Sequence, residues 1–221
     1  MALFLNDIII HRNIGEFYFE TKFYKDAIEV FNKIDTIPEN IELWQKIAYS
    51  WQKLGDYQKA LEYYLKADLT DIRKTWNIKK IALCYKRLGQ YDKALHYYLE
   101  AEKVEPEDLQ VQANLAHTYF EMNDFESALK IYFKVEYLAP DNHKIQRPIG
   151  WCSFMLGKYD TAKKYFQKLI EIEPNEHDLL NIGHVEWCSG NKQNAIEKYS
   201  QSIRKASNSF DWFSNEFMAD S

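Results

Sequence analysis

The sequence predicts an all-α chain of stacked helix pairs, and three observations support this fold class. Alanine recurs in one local context at spacings of 33 or 34 residues, which is typical of a stacked helical array. Within each period, apolar residues follow the three- and four-residue spacing of an amphipathic helix. Glycine and proline number only seven and five among the 221 residues, whereas an all-β chain full of tight turns needs more of both.

Six copies of the period are in phase along the chain. Their repeated alanines are Ala27, Ala60, Ala94, Ala128, Ala162 and Ala195. An aromatic residue follows each alanine by four positions: Phe31, Tyr64, Tyr98, Tyr132, Phe166 and Tyr199. A small residue precedes each alanine by twelve positions: Gly15, Ala48, Ala82, Ala116, Gly150 and Gly183. We expect the small residue and the alanine to let two helices approach closely, and the ring to fill the gap to the next pair.

Each period also contains signals that end a first helix and begin a second. Residues suited to the left-handed position after a helix are Gly55, Gly89, Asn123, Gly157 and Gly190. Lys22 occupies this place in the first period and suits it badly, so we expect a different turn there. Asp56 and Asp124 are candidate N-caps of second helices. These helices should end near the prolines Pro38, Pro106, Pro140 and Pro174.

Pro148 interrupts the pattern of the fifth period. Inside a helix, proline removes a hydrogen bond and costs about 3 kcal/mol, but at the first helical positions it costs little. The sequence therefore predicts a shortened or bent first helix between His143 and Met155.

Composition argues against several classes of protein. The net charge of −5 and the pI of about 5.7 disfavour a dedicated nucleic-acid binder, which is usually basic. No apolar run reaches the roughly 18 residues of a membrane helix. The motifs of nucleotide-binding loops, zinc proteases and serine hydrolases do not occur, and the histidines and cysteines lack metal-ligand spacing. We therefore expect a non-enzymatic protein without metal, cofactor, nucleic-acid partner or membrane partner.

The three cysteines form no disulfide framework. Cys84 and Cys152 share one repeat position next to core residues, so we interpret both as small buried fillers. Cys188 lies near the end of a first helix. Free thiols suit a reducing compartment, which favours a cytoplasmic location.

The repeated pattern resembles the tetratricopeptide repeat (TPR). In the second period the residues that carry it are Trp44, Ile47, Ala48, Trp51, Gly55, Tyr57, Ala60, Tyr64 and Ala67. The resemblance implies a right-handed α-solenoid, or superhelix, of antiparallel helix pairs, with residues 1–221 forming one domain. We place the repeats at residues 8–40, 41–74, 75–108, 109–142, 143–175 and 176–209.

The two ends lie outside the regular repeats. Residues 1–7 look like the tail of a preceding second helix plus a linker, which would make the chain a segment of a longer array; an ordinary N-terminal cap is the alternative. At the other end, Phe210, Phe213 and Phe217 follow helical spacing. They predict a capping helix over 210–221, and the alternative is a tethered ligand that folds back into the groove.

TPR arrays are similar to one another as scaffolds that hold peptides or partner proteins in a concave groove lined by the first helices. Carrying the family's lining positions over gives Lys46, Tyr49, Lys79, Lys80, Asn114, His117, Lys144, Arg147, Trp151, Phe154, Asn181, His184 and Trp187. A basic stretch thus leads into an aromatic one, which favours a peptide with acidic and large apolar residues. The alternative is that the lysines form a solvated face and the rings pack between neighbouring repeats.

Three other functions stay open at the level of sequence. Chaperone-binding TPR domains use a carboxylate clamp, to which Lys79, Asn114 and Lys144 correspond, but Leu83 and Pro148 occupy its remaining positions. The chain could also be the regulatory or targeting region of a larger enzyme or sensor. RNA binding by a related helical array is disfavoured by the acidic pI and by the 34-residue period. The sequence leaves the oligomeric state open.

Overall fold

The structure is a computed structural model that describes residues 2–35, 40–68 and 75–206, together with Ser214 and Glu216. Within these residues it contains twelve α-helices, one 3-10 helix and no strand. The helices of the first three repeats are α1 (Ala2–Glu20), α2 (Tyr24–Asn32), α3 (Ile41–Lys53), α4 (Tyr57–Asp68), α5 (Thr75–Arg87) and α6 (Tyr91–Val104). The others are α7 (Leu109–Glu121), α8 (Phe125–Leu138), the 3-10 helix His143–Ile145, α9 (Gln146–Met155), α10 (Tyr159–Ile172), α11 (Glu176–Cys188) and α12 (Lys192–Lys205).

The chain divides into two compact units, Met1–Asn114 and Leu115–Ser221. In the first unit, each helix from α1 to α5 packs against the next helix along the chain. In the second unit, the same holds for each helix from α8 to α11, and the 3-10 helix packs against both α8 and α9. The prediction of an all-α fold built from tandem helix pairs is confirmed.

The repeated ring lies at the centre of this packing. Phe31 is fully buried in a cluster with Leu43 and Ile47 of the next first helix, as the sequence predicts. The ring also packs inside its own pair, because a Cβ built on Gly15 would lie 2.3 Å from a carbon of the Phe31 ring. The small residue twelve positions before the alanine therefore makes room for the ring.

All six pairs use the same turn. Gly55, Gly89, Gly157 and Gly190 have positive φ angles as predicted, and Asn123 does so at 60°. The residue after each of them donates its backbone N–H to a carbonyl five residues earlier, which is the Schellman arrangement.

The expectation of a different turn at Lys22 is wrong. Lys22 adopts a φ of 66°, and the N–H of Phe23 donates to the carbonyl of Tyr18 at 2.9 Å. The N–H of Lys22 itself donates to the carbonyl of Phe19 at 3.1 Å. These bonds satisfy the end of α1, and they offset the roughly 1–2 kcal/mol that a side chain loses in this conformation.

We expect Lys22→Gly to raise the free energy of unfolding by about 0.5–1 kcal/mol, because glycine removes the strain but gains freedom in the unfolded chain. Urea denaturation followed by circular dichroism measures the change. Glu29→Gly, an exposed position within α2, is the matched control and should lose about 1 kcal/mol. Equal losses in the two variants would contradict the explanation.

The predicted helix starts and ends are found where the structure describes them. Asp124 caps α8 by accepting the N–H of Ser127 at 3.0 Å, and Asp56 accepts the N–H of Lys59 at 3.0 Å. Three second helices end two residues before a proline, at Pro106, Pro140 and Pro174. Pro38 lies outside the described residues.

Pro148 shortens its helix as predicted. The α-helix α9 has ten residues, and the preceding His143–Ile145 form a 3-10 helix instead of its first turn. Pro148 is the third residue of α9, where a backbone N–H has no partner within the helix. The proline is therefore accommodated without loss of an α-helical hydrogen bond.

The N-terminal expectation is corrected. Helix α1 runs from Ala2 to Glu20 without a break, so no linker separates residues 2–7 from the first helix. This stretch contains neither glycine nor proline, and the carbonyl of Asp7 lies 2.8 Å from Nδ1 of His11 one turn later. The capping helix expected over 210–221 lies outside the described residues except for two. Of these, Glu216 is helical and its carboxylate lies 3.5 Å from Nδ1 of His177.

Candidate functional site

The first unit gathers five of the predicted groove residues around two cavities that share Trp76. The larger cavity has a volume of about 440 Å³, and Lys46 and Tyr49 are part of its wall. The smaller has a volume of about 130 Å³, and its lining includes Lys79, Lys80 and Asn114. These five side chains stand on the first helices α3, α5 and α7.

An aromatic wall forms one side of the larger cavity. Phe19, Tyr24 and Tyr49 contact one another, with ring centroids 5.7–6.1 Å apart in tilted and edge-to-face arrangements. Phe19 and Tyr24 are absent from the lining residues that the sequence predicts. Tyr24 opens the second helix α2, and Phe19 lies on α1, whereas the predicted lining residues belong to the first helices of the second to sixth repeats.

Lys80 lies beside this wall. Its ammonium nitrogen is 5.4 Å from the centroid of Tyr49 and 5.4 Å from that of Trp76, within the range of a cation–π interaction. Burial lowers the pKa of Lys80 below its usual value. Among the described residues, no carboxylate pairs with this ammonium, and it lies between the two rings.

Lys46 occupies the same repeat position one repeat earlier, and its charge is compensated. Its ammonium lies 2.5 Å from a carboxylate oxygen of Glu16 and 2.8 Å from one of Glu42. Burial alone would lower the pKa of Lys46, but these two carboxylates outweigh burial and raise it. The positive charge of Lys46 is therefore already neutralised within the chain.

Lys79 is compensated in the same way by the segment that follows α6. It forms ion pairs with Glu105 and Asp108, and the second contact measures 2.5 Å. These carboxylates raise the pKa of Lys79 against the opposing effect of burial. Asn114 accepts a hydrogen bond from Lys86 at 2.6 Å. The two residues of the first unit that correspond to a carboxylate clamp thus already have partners in the chain.

In the second unit, Arg147 forms a bidentate ion pair. Its Nε and Nη2 donate to the two carboxylate oxygens of Asp178 at 2.9 and 2.8 Å. The hydrogen bonds that Arg147 donates to Asp178 raise the pKa of Arg147, and the Asp178 side chain is buried. Lys144, which precedes this pair along the chain, is exposed.

The predicted aromatic residues of the second unit divide into packed and exposed rings. Trp151 and Phe154 lie edge to face at 5.6 Å and pack against the buried cluster that contains Phe166. Trp187 is 47% exposed, and Lys192 Nζ lies 5.5 Å from its ring centroid.

The remaining polar positions of the second unit differ in exposure. Asn181 is buried, with 5% exposure, and offers little surface to a ligand. Tyr199 hydroxyl and Nδ1 of His184 lie 3.3 Å apart. His117 is exposed and lies 3.6 Å from Glu121 one turn later.

Cys84 and Cys152 occupy the buried environments that the repeat predicts. Cys84 and Cys152 are fully buried, and burial raises the pKa of each thiol to about 12. Cys188 is exposed. Within the described ranges, no set of three or more histidine, cysteine or acidic side chains could hold a metal ion. In the same part of the chain, no helix is long and apolar enough to cross a bilayer.

Comparison with protein families gives three matches, each to a model described as tetratricopeptide repeat. They cover residues 41–70, 87–147 and 149–176, which together make up more than half of the chain. The chain belongs to the tetratricopeptide repeat family. A TPR array is a scaffold fold for interactions between proteins, and this is the general role that the family assignment supports. The comparison with curated proteins gave no match.

Solved TPR structures share the fold of the chain. The C-terminal part of a TPR repeat-containing protein from Cytophaga hutchinsonii gives a TM-score of 0.75 at 18% identity, covering 89% of this chain and 79% of that chain. A TPR protein from Parabacteroides merdae gives 0.75 at 17%, with coverages of 90% and 80%. PilF of Pseudomonas aeruginosa gives 0.68 at 19%, and the match covers 98% of each chain.

Proposed function

We propose that this TPR chain holds a partner protein by binding an extended segment of it in the larger cavity of the first unit. The segment carries a large apolar side chain with an acidic residue close by. The observation that carries the proposal is the aromatic cavity of about 440 Å³ with the ammonium of Lys80 at its edge. The three free thiols suit action in the cytoplasm.

The cavity suits an apolar anchor. Its volume falls within the range of roughly 300–1,000 Å³ that is usual for ligand pockets. Tyrosine and tryptophan at such positions supply much of the binding energy of protein interfaces, because their rings bury a large area with little loss of conformational freedom. Tyr49 and Trp76 stand on different first helices, so one incoming side chain could contact both rings.

The charged residues around the larger cavity favour one orientation of the bound segment. Glu20 and Glu42 belong to the lining of the larger cavity and would repel an acidic group placed beside them. Lys80 lies on α5 with Trp76, where an acidic group would meet a partly buried ammonium that pairs with no carboxylate of the described part of the chain. The acidic residue of the segment should therefore lie towards α5 and the anchor towards α1.

Selection of phage-displayed random peptides on the immobilised full chain tests this function. We expect enriched peptides to share a large apolar residue with an acidic residue nearby. Tyr49→Ala should weaken binding of a selected peptide by at least about tenfold, as for a buried aromatic anchor. Lys80→Glu should weaken it to a similar degree and abolish the preference for acidic residues.

Two control variants show whether peptide affinity depends on this cavity or on any change of surface charge or loss of an exposed ring. Lys130→Glu reverses an exposed lysine on α8, and Trp187→Ala removes an exposed ring on α11; both should leave peptide affinity unchanged. Selection of basic peptides, or undiminished binding to Tyr49→Ala with an unchanged melting temperature, would refute the proposed function.

A further inference from the structure

The first helix exposes apolar side chains that its counterparts bury. Ile10, Ile14 and Phe17 lie on one side of α1 and are 55%, 41% and 62% exposed. We call these three residues the outer face of α1. An exposed apolar surface of this kind commonly marks an interaction site.

Comparison with the other repeats shows that this exposure is peculiar to α1. The residues equivalent to Ile14 are all buried: Ile47, Ile81, Leu115, Ile149 and Ile182. The residues equivalent to Ile10 are buried as well: Leu43, Asn77, Val111, Ile145 and Asp178. In the second, third, fifth and sixth repeats these positions pack against the second helix of the preceding repeat, as Ile47 does against Phe31. The outer face of α1 is therefore a docking surface for a helix.

Phe17 determines which kind of helix fits. The equivalent residues are smaller and fully buried: Ser50, Cys84, Thr118, Cys152 and Val185. Their size leaves room for the incoming ring, as Cys84 does for Tyr64 in their shared cluster. The ring of Phe17 fills that space, so a second helix of the regular repeat pattern would clash with it. The matching helix must offer an aliphatic side chain where the regular pattern has a ring.

We propose that the occupant is α1 of a second copy of this chain, packed antiparallel about a two-fold axis through Ile14. Ile14 then meets the second copy's Ile14, and Phe17 covers the second copy's Ile10, so an aliphatic residue faces the ring. Two-fold pairing of identical patches is the commonest way in which soluble chains form dimers.

The charges around the outer face agree with this arrangement. Asn13, the residue between Ile10 and Ile14 on this side, is uncharged, so no like charges oppose each other at the centre. In the antiparallel pair, a residue before Ile14 lies opposite the residue that follows Ile14 by the same number of positions. Asp7 precedes Ile14 by seven positions, and Thr21 and Lys22 follow it by seven and eight. The exposed Asp7 therefore approaches the exposed Lys22 of the second copy. The face is small beside the roughly 800 Å² per partner of a stable interface, so the dimer should be weak and concentration-dependent.

Sedimentation velocity of the full chain over a wide range of concentrations tests the proposal. We expect the mass to rise towards that of two chains as concentration increases, and Phe17→Glu to remain monomeric with unchanged helicity. Ile196→Glu, which places a charge at an exposed isoleucine of α12, should dimerise like the wild type. A chain that is monomeric at every concentration, or a Phe17→Glu variant that still dimerises, would overturn the proposal.

Cross-linking provides a second measurement that does not require a charged substitution. In a Cys188→Ser background, Ile14→Cys should form an intermolecular disulfide on mild oxidation, because the two-fold axis brings this residue next to itself. Ile196→Cys should not, and equal cross-linking of the two would overturn the proposed pairing. Phe17 does not line the peptide cavity, so peptide binding by Phe17→Glu should persist whether or not the dimer forms.

Discussion

Phe31→Ala is expected to lower the free energy of unfolding by about 3–5 kcal/mol, which is the usual loss for a buried phenylalanine. The Phe31 ring is fully buried, and it fills space both beside Gly15 of its own pair and beside Ile47 of the next first helix. Its removal leaves a cavity between two repeats that rigid helix backbones cannot close. Urea denaturation followed by circular dichroism measures the loss.

The control for Phe31→Ala is a ring of the same size at a half-exposed position. Phe133 on α8 is 38% exposed, so Phe133→Ala should cost less than about 1.5 kcal/mol, since much of the ring is already in water. If both variants lost the same stability, the repeated ring would not be the main packing element between repeats.

Gly15→Ala is expected to lower the free energy of unfolding by about 2 kcal/mol, although alanine is the better helix former by about 1 kcal/mol. The new Cβ would lie 2.3 Å from a carbon of the Phe31 ring, which is closer than such atoms approach. Because that ring is fully buried, it can move only by displacing its neighbours. Thermal and urea unfolding measure the loss.

Two further variants identify the clash as the cause. In a Phe31→Leu background, Gly15→Ala should cost less than it does alone, because leucine leaves room for the methyl group. In Gly183→Ala the new Cβ would lie 2.2 Å from a carbon of the Tyr199 ring. This ring is only partly buried and can turn aside, so the loss of unfolding free energy should be smaller than for Gly15→Ala. Additive effects of the Gly15 and Phe31 substitutions would show that the two side chains do not compete for space.

The fold was predictable because its signals are local and repeated. Each helix pair contains its own signals, such as the residue after its first helix or, in the fifth pair, Pro148, and the alanines repeat them in phase. The structure confirms the features that these signals predict. Lys22 shows the limit of this reasoning. Its turn is determined by backbone hydrogen bonds that all six pairs share, and these override the preference of a single side chain.

The candidate site was less predictable because its electrostatics depend on residues about 30 positions apart. The sequence identifies Lys46, Lys79 and Lys80 alike as basic groove residues. Only the packing of adjacent repeats shows that the first two meet carboxylates from a neighbouring helix or linker, whereas Lys80 meets rings. The spacing of Lys79 and Asp108 was visible, but charged residues are too frequent for spacing alone to indicate a pair.

The unequal burial of the three cysteines has a practical consequence for studies of this chain in solution. A thiol-reactive dye should attach to native protein at Cys188 alone, because only that sulphur is open to solvent. Cys84 and Cys152 lie in different units, so each would become reactive when the helices around it separate. The number of dyes attached over time would then report local opening in each unit without any engineered substitution.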